Sequence, residues 1–230
     1  MDELIINNIT AVQQEAIWWF LPVIFWALIG GVGGAIIGCI IGSIWDACTK
    51  KDIGMAVLGM RMSGKTLWYN FLTNDSRIGT TSSTEKVRSF KMDFSNGRSV
   101  TVKQGMDIGG SEINVQLFYE ELIKENDVVL FLFNSFEYLN NLQYEREVNG
   151  RMAFIASKWD EHHPDKELSK CIFVIATYAD KLIDKEKGWK DIVDRMSKRS
   201  FRNMIKQHLL LVNMTDKKQV EIMKEKIFGE

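Results

Sequence analysis

The feature that most constrains the fold is an eight-residue segment of the form G-x-x-x-x-G-K-[ST]: Gly59, Met60, Arg61, Met62, Ser63, Gly64, Lys65 and Thr66. It lies between an apolar run typical of a strand and an amphipathic run typical of a helix. In that context the motif predicts a loop whose backbone N–H groups surround phosphate groups. We expect Lys65 to neutralise phosphate oxygens, as a candidate catalytic group, and the Thr66 hydroxyl to bind Mg²⁺.

Short apolar runs alternate with amphipathic ones from residue 52 to residue 228. Near-continuous apolar runs predict central strands at 53–60, 127–133, 171–177 and 208–214. Two alternating runs joined by Ser95-Asn96-Gly97 predict a hairpin within 87–107. Amphipathic runs predict helices at 111–126, 145–161, 188–207 and 215–228. This order predicts an α/β fold, a doubly wound and mostly parallel six-stranded P-loop NTPase sheet with one antiparallel edge strand.

The N-terminal part of the chain is of a different kind. Residues 16–45 contain no Asp, Glu, Lys, Arg or His, and this run is longer than the roughly 20 residues that span hydrocarbon. It predicts one transmembrane helix, with a buried helix of a soluble protein as the alternative. Lys50 and Lys51 follow it and place the C-terminal part in the cytoplasm. The predicted organisation is a short non-cytoplasmic N-terminus (1–15), the helix (16–45), a linker (46–51) and the α/β domain (52–230).

Four glycines recur at four-residue spacing within the apolar run: Gly30, Gly34, Gly38 and Gly42. On a helix they share one face, where a second helix can approach closely. A homo-oligomer formed through this face is one expectation. The alternative is that glycine is simply frequent in membrane helices.

Composition excludes some partners and sites. With 29 Lys and Arg against 30 Asp and Glu, the charge balance does not favour a nucleic acid partner. The three cysteines form no C-x-x-C pair, so neither a disulfide framework nor a zinc site is indicated.

Two further motifs follow predicted strands. Asp107-Ile108-Gly109-Gly110 offers a carboxylate that can hold Mg²⁺ through water and, at Gly110, an N–H that can meet a γ-phosphate. Thr177-Tyr178-Ala179-Asp180 ends another strand, and a carboxylate there can accept both N1–H and the exocyclic amine of guanine.

Together these motifs resemble the small GTPases of the Ras and Arf type across nearly all of residues 52–228. The resemblance implies GTP or GDP and Mg²⁺ as ligands. The family pattern N/T-K-x-D is matched by Thr177 and Asp180, whereas Tyr178 replaces the lysine, and its ring can stack on the base in place of the lysine stem. The family also carries one threonine that closes onto Mg²⁺; Thr81 is our choice, with Thr80 and Thr84 as alternatives.

One departure concerns hydrolysis. The Ras and Arf members have a glutamine directly after the D-x-x-G glycine that orients the attacking water, whereas this chain has Ser111. Glu112 is a candidate substitute, although an acid in the first turn of a helix also favours the helix start by itself. We therefore expect slow GTP hydrolysis, or hydrolysis that depends on a partner.

The layout of one membrane helix before a Ras-like domain resembles the signal-recognition-particle receptor β subunit. The leading hypothesis is a membrane-anchored GTPase switch, its domain in the cytoplasm, that recruits a cytosolic protein partner to the membrane. The alternatives are a scaffold that holds GTP without hydrolysing it, an ATPase or nucleotide kinase, and a nucleotide-controlled oligomer that perturbs the membrane.

Overall fold

The apolar runs of the sequence form the inner strands of one sheet, because covering by helices on both faces removes their side chains from water. A computed structural model describes residues 52–74, 85–110, 112–163, 171–205 and 208–228, all of which fall within one unit, residues 42–230. The predicted membrane helix, its glycine face, the three candidate threonines and Ser111 lie outside these ranges. In the ranges described, no helix is both long and apolar enough to cross a membrane.

Nine strands are present in the described residues: β1 (Asp52–Ile53), β2 (Met55–Gly59), β3 (Glu85–Val87), β4 (Phe90–Asp93), β5 (Ser99–Val102), β6 (Gly105–Asp107), β7 (Val128–Asn134), β8 (Cys171–Thr177) and β9 (Leu209–Leu211). The helices of the same ranges are α1 (Lys65–Thr73), α2 (Glu112–Glu125), α3 (Ser135–Asn140), α4 (Leu142–His162), α5 (Lys185–Ser197), α6 (Arg202–Ile205) and α7 (Lys217–Phe228), with a 3₁₀ turn at Ala179–Lys181.

Six strands form the main sheet in the order β3-β6-β2-β7-β8-β9. All neighbouring pairs are parallel except β3 with β6, which is antiparallel and lies at the edge. The prediction of a mostly parallel six-stranded sheet with one antiparallel edge strand is therefore confirmed. The predicted hairpin is also confirmed: β4 and β5 pair antiparallel around Gly97, whose φ of 79° suits the Asn-Gly turn.

The run 53–60 is not a single strand as predicted. Gly54 interrupts it, because the Gly54 N–H donates to the Asp127 carboxylate at 2.8 Å and the Gly54 carbonyl accepts from the N–H groups of Asp127 and Val128. The two residues before the break, β1, pair in parallel with β5. A second sheet of order β1-β5-β4 results, which the sequence did not predict.

Alternate residues of the central strands face two separate cores. Leu130 and Leu132 of β7 pack with Trp68 of α1 and with α7 on one face. Phe131 and Phe133 of the same strand pack with side chains of α2, α4 and α5 on the other. Helices therefore cover both faces, as a doubly wound sheet requires.

The predicted helix 188–207 is divided into α5 and α6. Arg195 and Arg199, at the end of α5 and just beyond it, each donate at 3.1 Å to the buried carboxylate of Glu145 in α4. Arg195 and Arg199 are thus bonded to the neighbouring helix, whereas the helical pattern alone would place both on a solvent-facing surface.

Three of the predicted motifs follow the carboxyl ends of neighbouring parallel strands. Gly59 ends β2, Asp107 ends β6 and Thr177 ends β8, while β7 lies between β2 and β8. Ligands of open parallel sheets bind at this edge. The fold thus brings the three motifs to one side of the molecule.

Candidate functional site

The loop between β2 and α1 has the backbone of a phosphate cradle. Gly59 has a φ of 146°, and an added Cβ would overlap the carbonyl oxygen of Leu132, so only glycine fits there. Met62 is left-handed, with a φ of 56°. Helix α1 begins directly after Gly64, so that its unpaired N–H groups and positive dipole end face the loop. The backbone conformation is therefore already suited to an anion.

Lys65 crosses this loop and is almost completely buried, with 7% of the residue exposed. Its Nζ donates to the Met60 carbonyl at 2.7 Å, and the Ser63 hydroxyl donates to the same carbonyl at 2.8 Å. Burial lowers the pKa of the Lys65 ammonium from 10.5 to about 8; Asp107 opposes this shift and Arg151 adds to it. The ammonium is charged at neutral pH in a place where water cannot solvate it well, which favours an anionic ligand.

Two predicted magnesium ligands are in contact. The Thr66 hydroxyl donates to the Asp107 carboxylate at 3.1 Å, and Asp107 is fully buried. The parallel register that sets Val57 of β2 opposite Asp107 of β6 produces this proximity across 41 residues of sequence. A hydroxyl and a carboxylate are hard oxygen donors of the kind that Mg²⁺ takes, so this pair fits the ion. Thr81 lies outside the described residues.

The D-x-x-G turn lies directly against the phosphate loop. A Cβ added at Gly110 would overlap the backbone of Met60 and Arg61, so this close approach requires glycine. Helix α2 begins at Glu112. Its start agrees with the predicted helix, but the side chain of Glu112 lies outside the described part of the structure, and the predicted role in positioning water stays a prediction.

The Thr177-Tyr178-Ala179-Asp180 segment is joined to the neighbouring strand β7 and to the phosphate loop. Thr177 is fully buried, and its hydroxyl donates to the Phe133 carbonyl at 2.9 Å. Tyr178 is left-handed, with a φ of 60°, and its hydroxyl donates to the Met62 carbonyl at 2.9 Å. Thr177 thus bonds within the sheet end, and Tyr178, which replaces the family lysine, links the base-side loop to the phosphate loop.

Asp180 lies in the 3₁₀ turn that follows, with 37% of its side chain exposed. The Nζ of Lys181 is 3.6 Å from its carboxylate, and this pair is also open to solvent. The Asp180 carboxylate is therefore accessible from solvent, as contact with a ligand requires.

Two residues that sequence analysis missed complete the site. Arg151 of α4 is 6% exposed and donates to the carbonyls of Gly59 at 3.3 Å and Gly110 at 3.1 Å. Tyr119 of α2 is 1% exposed; its hydroxyl accepts from the Gly59 N–H at 3.0 Å and donates to the Gly59 carbonyl at 3.3 Å.

The sequence holds one signal for Arg151. Val148, Met152 and Ile155 mark the apolar face of α4, and Arg151 falls on that face, three residues after Val148 and four before Ile155. An arginine on a buried helix face must find partners inside the protein. No comparable signal marks Tyr119, since a tyrosine on an apolar helix face is ordinary core.

Comparisons with known proteins support the fold. No protein-family model matches the chain, and no curated protein matches it. Among solved structures, the bacterial selenocysteine-specific elongation factor EF-Sec aligns with a TM-score of 0.51 at 15% identity, over 77% of this chain and 28% of the EF-Sec chain. This chain therefore spans less than a third of that protein.

The Arl6 BBS3 small GTPase from Trypanosoma brucei, solved with the bound nucleotide analogue GppNp, aligns with a TM-score of 0.50 at 18% identity. The alignment covers 76% of this chain and 95% of the small GTPase. The chain has the fold of P-loop GTPases. At these identities the likeness concerns the fold, and the function has to be argued from the site.

Proposed function

We propose that the protein is a guanine-nucleotide-binding switch. The observation that carries this proposal is the hydrogen bond from the Tyr178 hydroxyl to the Met62 carbonyl. It joins the base-side loop to the phosphate loop, so that one ligand can reach both. A nucleotide is the ligand class with a planar base at one end and phosphates at the other.

Each part of a nucleotide then has a protein group that can bind it. The phosphates take the loop N–H groups and Lys65, whose buried ammonium gains a counter-ion. Thr66 and Asp107 would hold Mg²⁺, which supplies charge neutralisation of the phosphate oxygens when bound. Asp180 accepts two hydrogen bonds from guanine, which adenine does not offer in that pattern. The nucleotide analogue bound to the Trypanosoma brucei small GTPase supports the same choice.

Base specificity is the test of this proposal. With full-length protein in detergent, GTP should displace a fluorescent GDP derivative at a concentration roughly a hundredfold lower than ATP requires, because a site with a buried or aligned polar partner rejects the wrong base strongly. In Asp180→Asn the amide offers one acceptor and one donor, which match N1–H and the C2 carbonyl of xanthine. That variant should therefore lose GTP affinity and gain XTP affinity. Equal displacement by GTP and ATP in the unaltered protein would remove the guanine assignment.

Whether bound GTP is hydrolysed is a separate question, and Ser111 in the position of a glutamine favours slow turnover. We propose a slow GTPase, with a non-hydrolysing GTP-bound scaffold as the second candidate. Phosphate release under multiple turnover distinguishes them: the unaltered protein should exceed a Lys65→Ala control, and equal rates would leave the scaffold.

We further propose that residues 16–45 anchor this domain to a membrane and that the switch recruits a cytosolic protein to its surface. The uncharged length of the segment and the lysines that follow it support this. The chain should then stay with membranes during alkaline extraction, and release into the supernatant would contradict the anchor.

We also propose self-association through the glycine face of this segment. Cross-linking should yield oligomers of the unaltered protein but not of a variant in which Gly34 and Gly38 are both replaced by Ile. The same cross-linked species in both proteins would exclude that face.

A further inference from the structure

Arg151 makes an unusual set of contacts for a buried cation. Its guanidinium reaches two backbone carbonyls from different functional segments, Gly59 in the phosphate loop and Gly110 in the D-x-x-G turn. It also pairs with Glu147, one helical turn earlier in α4, and 47% of the Glu147 side chain is exposed. Its guanidinium is hydrogen-bonded to the Tyr119 side chain as well. Arg151 is therefore paired with a half-exposed carboxylate and also donates hydrogen bonds to the backbone of the site.

The same point gathers a third segment. The Tyr119 hydroxyl of α2 contacts both the N–H and the carbonyl of Gly59. Burial raises the pKa of the Tyr119 hydroxyl, so it stays protonated and can donate at neutral pH. The first residue of the phosphate loop is thus bonded to α2 and to α4, and the D-x-x-G turn is bonded to α4 through the same arginine.

A purely structural ion pair has a different form in this molecule. Arg195 is also bonded to a glutamate, Glu145, and to the carbonyls of Tyr138 and Leu139 at 3.4 Å. Those two carbonyls belong to one short helix, α3, so that interaction joins packed helices. The guanidinium of Arg151 instead spans two loops that approach each other so closely that Gly110 has no room for a side chain.

We propose that Arg151 is a positioning residue that holds the Gly110 turn against the phosphate loop and thereby sets the preference of the site for a nucleoside triphosphate over a diphosphate. This inference rests on the proposed function. In nucleotide switches the γ-phosphate is what distinguishes the two ligands, and it acts through the segments around it. A turn held in place before binding costs less to order when the triphosphate arrives. The diphosphate gains nothing from that order.

The test compares the affinities of full-length protein for GDP and for a non-hydrolysable GTP analogue, both with Mg²⁺. Lys at position 151 keeps the charge but has one compact ammonium in place of a planar fork, so it cannot serve both carbonyls in the same way. In Arg151→Lys the triphosphate affinity should fall roughly tenfold while the diphosphate affinity changes little, as loss of one charge-assisted hydrogen bond implies. Glu147→Gln alters a half-exposed side chain and leaves the core intact. It should lower the ratio of triphosphate affinity to diphosphate affinity by roughly threefold.

Arg195→Gln is the matched control. It also removes an arginine that is bonded to one glutamate and to two carbonyls, but these partners belong to α3 and α4 and not to the phosphate loop. It should lower the melting temperature and leave the affinity ratio unchanged. If Arg151→Lys and Glu147→Gln leave the ratio of the two affinities unchanged, or raise it, Arg151 is structural and the inference is overturned. If the unaltered protein binds neither nucleotide, the proposed function fails and this inference falls with it; binding with an unaltered ratio in the variants overturns the inference alone.

Discussion

On the phosphate side of the candidate site the charged groups of Lys65 and Asp107 are buried, whereas on the base side the carboxylate of Asp180 is partly exposed. Lys65 and Asp107 are 7% and 0% exposed, and Thr66 contacts Asp107 directly. On the base side, the Asp180 carboxylate is open to solvent and pairs loosely with Lys181. Every nucleotide carries phosphates, so the rigid side should supply affinity and the open side should decide which base is accepted.

The largest expected effect lies on the phosphate side. Replacing Lys65 by Met keeps much of the side-chain volume and removes the charge. Nucleotide affinity should fall on the order of a hundredfold, because hydrogen bonds that involve charged groups are the strongest ones available to a phosphate. The ligand-free variant should not melt earlier, since burying this ammonium is costly. Titration of a fluorescent nucleotide and a thermal melt check both statements.

The comparison also predicts that Lys65→Met lowers nucleotide affinity without lowering the melting temperature. If Lys65→Met lost affinity and melting temperature together, the lysine would be a structural member of the loop, and the division between the two sides would not hold.

The second prediction concerns pH and follows from the pKa of about 8 for Lys65. Bound phosphate favours the charged ammonium and raises this pKa, so binding takes up a proton above that pH. Affinity should be constant below about pH 8 and should fall by up to about tenfold per pH unit above it. The Lys65→Met variant should show no such decline between about pH 7 and about pH 9. An equal decline in both proteins would assign the pH dependence to another group.

The stability of the ligand-free protein should have the opposite slope. The folded pKa of Lys65 lies below the value of 10.5 that the unfolded chain has. Between these two values the unfolded state binds more protons, so the free energy of unfolding rises with pH in that window, and the cost of the buried charge is fully present below about pH 8.

The smallest effect is expected where the two sides meet. Tyr178→Phe removes only the hydroxyl that donates to the Met62 carbonyl. One neutral hydrogen bond contributes about 1 kcal/mol, so guanine nucleotide affinity should fall roughly fivefold. Tyr138→Phe is the matched control, because its hydroxyl contacts Asn149. Equal losses of nucleotide affinity in the two variants would indicate a general loosening of the structure. The Tyr178 hydroxyl would then have no specific role in the site.

Most of the fold could be predicted because its signals are local. The apolar run Cys171–Thr177 becomes a strand with the predicted bounds, and Asn96-Gly97 produces the predicted hairpin turn. The run 208–214 forms a shorter strand than predicted, Leu209–Leu211. The break at Gly54 was missed, since it depends on the carboxylate of Asp127, 73 residues away. The division between α5 and α6 was missed as well. Charged residues at helical spacing across 195–206 carry no mark of the break that precedes Arg202.

The candidate site divides in the same way. Gly59 to Thr66, Asp107, Gly110 and Asp180 follow from motifs, because phosphate and base chemistry need those residue types at fixed spacing from strands and helices. Thr177 and Tyr178 were expected beside a base. That role stays a prediction; the structure adds that the Thr177 hydroxyl donates to the Phe133 carbonyl and the Tyr178 hydroxyl to the Met62 carbonyl. These are contacts between loops, and spacing along one loop does not encode them.

The sequence by itself determined the α/β class, the phosphate loop and the succession of the central strands along the chain, since propensity, apolar periodicity and glycine requirements act over a few residues. Only the tertiary structure decided that Thr66 meets Asp107, that Tyr178 bonds to Met62, and that Arg151 joins Gly59 to Gly110. These three contacts have the same physical cause. The parallel register brings strand ends from distant parts of the chain to one edge, and buried polar groups there must bond to whichever partners that edge provides.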